Sequence, residues 1–120
     1  VTFRDLHVGW AWVMILSNAL AGVWSLAAHR VESLRTRALW WFTVVAEVAI
    51  LVQVLLGIAT MKVDDIEPVQ FHMFYGFVAL FTVAILYAYR SQLQHRLYLL
   101  YGFGGLFLMG LGIRAVIVGS

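Results

Sequence analysis

Residues 6–28 read LHVGWAWVMILSNALAGVWSLAA, a stretch without a single Asp, Glu, Lys or Arg. An α-helix of that length, at 1.5 Å per residue, crosses a hydrocarbon layer of about 30 Å. Three further apolar runs follow, at roughly 39–61, 69–89 and 97–119. They use most of the 120 residues, so the sequence predicts one domain over 1–120 with no room for a soluble catalytic module. The composition agrees: 63% hydrophobic and 12% charged, where a soluble domain carries about 45–50% and about 25%. The expected fold is an all-α membrane protein, a four-transmembrane-helix up-down bundle. Its short connections make consecutive helices antiparallel neighbours.

Charge sets the expected topology. The first turn carries Arg30, Arg35 and Arg37 and the last carries Arg90 and Arg96, while the middle loop holds Asp64, Asp65 and Glu67 against Lys62. The positive-inside rule puts both basic turns in the cytoplasm, and so both termini and the acidic loop outside. The net charge of +2 is thus spent on topology, and no nucleic-acid partner is expected. Cysteine is absent, which excludes disulfides, iron–sulfur clusters and thiolate chemistry. The first run lacks a basic n-region and a small-residue cleavage site, so it reads as a retained span, although the chain opens on Val1. Trp10 and Trp12 toward one end, and Trp24, Trp40, Trp41, Tyr87, Tyr89, Tyr98 and Tyr101 toward the other, suit interfacial aromatic belts. Pro68 stands just before the third run, where a helix commonly begins.

The candidate site starts from His7 and His72, each just inside an apolar run. Ionisable side chains at membrane depth are costly and mark function. Below His7 at helical spacing lie Ala11, Met14, Asn18, Ala21 and Ser25, with Val13, Ile15, Leu16 and Leu20 opposite; below His72 lie Gly76, Ala79 and Val83. Small and polar stripes turn into a bundle, and they leave a slot for a flat macrocycle. The two helices run in the same direction, so both imidazoles lie at one depth, as a six-coordinate haem iron requires. Each histidine has an ordinary alternative as an interfacial residue bonded to backbone or water.

Arg114 interrupts the fourth run near its outer end and needs an anionic partner, which haem propionates or lipid phosphate would supply. The many glycines of that run permit close approach by a helix or a ring. His29 and His95 lie 22 and 23 residues beyond the first pair, among arginines, and read as topology or headgroup residues. Gln53 shares a face with Gly57 and Thr60 and can point at a ligand or a neighbouring helix. Glu47 lies on another face of the same run. A proton relay, a partner-subunit contact and an interhelical hydrogen bond all remain open for it.

One stretch carries a resemblance. A helix opening on His7, a second ending Gln53-Val54-Leu55-Leu56-Gly57-Ile58-Ala59-Thr60, a loop, and a third opening Gln70-Phe71-His72 resemble one four-helix half of heme A synthase. In that family two such halves each hold a b-type haem between histidines near the outer face. The family's glutamate three residues before the first histidine and its arginine directly after it are replaced here by Arg4 and Val8. The second half has no counterpart, although a homodimer would recreate it. The resemblance therefore implies architecture and haem ligation rather than oxidation of haem O.

The expectation is an integral-membrane, cytochrome b-like protein of a bacterial cytoplasmic membrane. It would hold one haem b per chain between His7 and His72 as the metal ligands, with Arg114 and Arg4 on the propionates and Gln53 and Gly76 beside the ring. No residue is assigned a catalytic role. Electron transfer or haem handling would proceed within a larger redox complex. Partner subunits, lipid or a lipid-soluble quinone would deliver the substrate or electron. Two rivals stand beside it: a cofactor-free accessory subunit of a respiratory or photosynthetic complex, and a proton-coupled transporter using Glu47. Four unbroken spans argue against the transporter.

Overall fold

The computed structural model describes residues 2–68 and 70–119. Four helices account for most of them: α1 (Phe3–Arg30), α2 (Arg37–Lys62), α3 (Gln70–Tyr89) and α4 (Leu97–Gly119). Single 3-10 turns lie at Glu32–Leu34 and Gln94–Arg96. All four helices are long and apolar enough to cross a membrane, and the bundle measures 48 × 25 × 19 Å. The expected start of the third helix, residue 69, lies outside the described residues.

Local chemistry fixes the ends. At the start of α1 the Thr2 hydroxyl accepts from the Asp5 N–H at 3.1 Å, and the Asp5 carboxylate accepts from the Thr2 N–H at 3.1 Å. This reciprocal box satisfies two donors that a helix start leaves without partners. The Asp64 carboxylate accepts from the Arg4 N–H at 3.0 Å, tying the acidic loop to the same helix start. At the other end the Arg35 guanidinium donates to the carbonyls of Ala28 (2.7 Å) and His29 (2.8 Å). A basic side chain on the last carbonyls stabilises a helix C-terminus.

Contacts fix the directions. Trp24 near the end of α1 meets Phe42 near the start of α2, with ring centroids 6.0 Å apart. Ser25 donates to the Tyr98 carbonyl at the start of α4 at 2.8 Å. Each helix is therefore antiparallel to the one it packs against. Across the bundle the order is α2, α1, α4, α3, and α2 meets α3 only sparsely. The expectation that all consecutive helices would be close neighbours fails at that pair. The tight seam lies instead between α1 and α4, where a Cβ on Gly22 would sit 2.9 Å from the Gly102 carbonyl oxygen. A Cβ on Gly105 would likewise sit 2.9 Å from the Gly22 Cα. Helices in lipid associate by such close packing, and α2 and α3 offer each other bulkier side chains.

The stripe from Ala11 to Ser25 is buried throughout. Asn18 spends its amide hydrogens inside, donating to Met14 O at 2.9 Å and, across to α2, to Ala46 O at 3.2 Å. Three expectations need correction. Tyr101, placed in the interfacial belt, is buried in the core. Ile15, placed on the lipid face, is 3% exposed, because α1 is flanked by both α2 and α4 and Ile15 covers Gly112. Trp10, placed in the interfacial belt, turns inward and donates its indole N–H to Ala49 O at 2.9 Å.

Candidate functional site

His7 and His72 meet. Their Nε2 atoms stand 3.3 Å apart, with the rings perpendicular and their centroids 5.5 Å apart. His7 comes from the second turn of α1 and His72 from the first turn of α3. The two helix starts face each other across the bundle, so the depth match expected of them is realised.

Each ring is seated by the helix next to its own, in the same way. His7 Nδ1 lies 3.1 Å from the Gln53 carbonyl oxygen of α2, and a Cβ on Gly57, four residues on, would sit 3.2 Å from His7 Cε1. His72 Nδ1 lies 2.8 Å from the Ala115 carbonyl oxygen of α4. A Cβ on Gly119, again four residues on, would sit 2.6 Å from that same Nδ1. A carbonyl and the residue four positions later lie on one helix face. The α1–α2 and α3–α4 pairs thus repeat one device: a carbonyl to hold the ring and a glycine to make room for it.

The hydrogen bonds decide the tautomers. A carbonyl oxygen only accepts, so both Nδ1 atoms carry hydrogen and donate. The neutral rings therefore turn two Nε2 lone pairs toward each other. With both Nδ1 atoms donating, the 3.3 Å approach is one that a proton or a metal cation between the two Nε2 atoms would satisfy.

A cavity of about 760 Å³ surrounds the pair, lined from all four helices and the acidic loop. This lies within the range of about 300–1,000 Å³ usual for small-molecule and cofactor sites. Arg4, Gln53 and Gly76 all line it. Gln53 also locks α2 to α1, its side-chain amide donating to the His7 carbonyl at 2.8 Å. Its Oε1 is buried with no partner among the described residues. Arg114 stands apart, exposed on α4, with its Nε 3.4 Å from the Tyr75 hydroxyl; Tyr75 itself lines the cavity.

The sequence reading did not pick out Ala115 or Gly119, or the role of Gly57 as a seat. A signal existed: a small residue four positions after the contacted carbonyl, near the ends of both even-numbered helices. His29 and His95 lie near the other end of the bundle, away from the pair. Among the described residues no group of three or more His, Cys, Asp or Glu could hold a metal ion. Any metal here would rest on the two imidazoles and on ligands it brings itself.

The paired-histidine cavity and four apolar helices define a class: an all-α bundle suited to a membrane, with an internal two-imidazole site. The chain matches no protein-family model, no curated protein and no solved structure.

Proposed function

We propose that this chain is an integral-membrane haem b protein, in which His7 and His72 would hold one haem per chain. The observation that carries the reading is the opposed pair of Nε2 lone pairs, each ring fixed by an Nδ1–H···O=C bond. Histidines that bind metals almost always donate their other ring N–H to a carbonyl, carboxylate or water. A metal held between the two rings would need the present 3.3 Å separation to widen. A cofactor-free pair would have to hold a shared proton between the two Nε2 atoms, whereas a bound haem would occupy both lone pairs and use the surrounding cavity.

Within that reading Gly57 and Gly119 make room for the rings, Gln53 holds α2 against the His7 backbone, and Gly76 gives the cavity a flat wall. Arg4 would meet the propionates at the mouth, and Arg114 would orient Tyr75 beside them. Haem bound there would supply one-electron transfer. The resemblance to half of a heme A synthase supports the same ligation. With the basic turns cytoplasmic, the site would lie on the outer side of a bacterial cytoplasmic membrane, within a larger redox complex or supplied by a quinone.

The test is haem stoichiometry, by pyridine haemochrome, on purified protein and four alanine variants. His7→Ala and His72→Ala are expected to lose most of the haem, while His29→Ala and His95→Ala keep it. Equal loss in all four contradicts the assignment.

A further inference from the structure

Glu47 lies on α2 six residues before Gln53, about 9 Å further from the histidine end along the helix axis. It is half-buried, and among the described residues it has no hydrogen-bond or ion-pair partner. It faces a second cavity, about 340 Å³, in the gap where α2 and α3 fail to close. The walls are Val44, Val48 and Leu51 from α2 and Leu80, Val83 and Ala84 from α3, which makes Glu47 the polar group of an otherwise aliphatic cleft.

An intramembrane carboxyl without a partner is expensive, and an acyl chain filling the gap would leave it so. A partner helix fits poorly, because helices in lipid approach over small residues and these walls are mostly branched and bulky. The volume suits a single small-molecule headgroup. The ligand must be neutral enough to reach mid-membrane and must carry an oxygen that can hydrogen-bond a carboxyl.

We infer that the α2–α3 cleft binds the ring of a lipid-soluble quinone or its hydroquinone, with one ring oxygen hydrogen-bonded to Glu47. The choice of a quinone among neutral lipids rests on the redox reading of the histidine cavity. Binding itself does not.

The experiment titrates the full chain in lipid nanodiscs with decylubiquinone, by calorimetry, and measures haem content on the same samples. Saturable binding near one per chain is expected. Glu47→Leu weakens it about tenfold or more, the scale of a lost buried hydrogen bond. Leu80→Trp, which fills the cleft, abolishes it, and Glu47→Gln, which can still donate, stays within a few-fold of the parent. Non-saturating uptake, or equal affinity in the parent, Glu47→Leu and Leu80→Trp, overturns the inference. So does disulfide cross-linking of Val48→Cys between chains with no quinone binding, which would make the cleft a helix interface. Haem with no quinone site sinks this inference alone; a Glu47-dependent quinone site without haem sinks the haem reading alone.

Discussion

His7 and His72 face each other because four backbone features hold them there: the carbonyls of Gln53 and Ala115 and the missing side chains of Gly57 and Gly119. The glycines are unequal. A methyl group at 119 would press on His72 Nδ1 at 2.6 Å and break its bond to Ala115, whereas one at 57 would meet His7 Cε1 at 3.2 Å, a distance a small ring shift can absorb. Gly119→Ala is therefore expected to lower haem affinity about 10–100-fold, as loss of a ligand's orienting partner does, with Gly57→Ala the milder of the two. Haem titration of the apoprotein checks the order, and a larger effect at 57 would contradict this reading of the seats. The orienting bonds also imply a pH dependence with a definite sign. A proton between the two Nε2 atoms competes with the metal, so binding weakens as pH falls. A titration showing tighter binding in acid would contradict ligation by the two imidazoles.

Between elements, the seam of α1 and α4 is the tightest contact and the one least able to adjust. Its neighbours at Gly22 and Gly105 are backbone atoms, which cannot rotate away. Gly105→Val should cost about 1–3 kcal/mol by overpacking, whereas Gly110→Ala, with nothing within 4 Å of the new methyl, should be neutral. Denaturation in mild detergent measures both, and matched losses would contradict the assignment of the seam. The helices themselves were legible in the sequence because the apolar length of a run is a local property. So was the histidine pair, because a polar residue in such a run stands out against its neighbours. The burial of Ile15, the inward turn of Trp10 and the seating of His72 on Gly119 were not. Each depends on which helix lies beside which, and that is decided by the α4 glycines acting on α1, far away in sequence.

For the whole molecule, the arginines of the two basic turns make contacts of their own. Arg35 caps the last carbonyls of α1 and lies over the Tyr98 ring, 5.0 Å from its centroid, and Arg90 lies over Tyr87 at 4.5 Å. These contacts tether the turns to one end of the bundle, while the acidic loop closes the histidine end through Asp64. With no native cysteine, orientation can be read from single introduced ones. In intact cells Glu67→Cys is expected to react with a membrane-impermeant maleimide and Ser91→Cys only after lysis; the reverse pattern would invert the topology. The central claim, that two imidazoles hold a haem inside this bundle, meets its most direct test in a reduced-minus-oxidised visible spectrum of the detergent-purified chain. A sharp b-type band, near one haem per chain and lost on replacing His7 or His72, is the predicted result. A colourless preparation that is folded and takes up no added haem would contradict it.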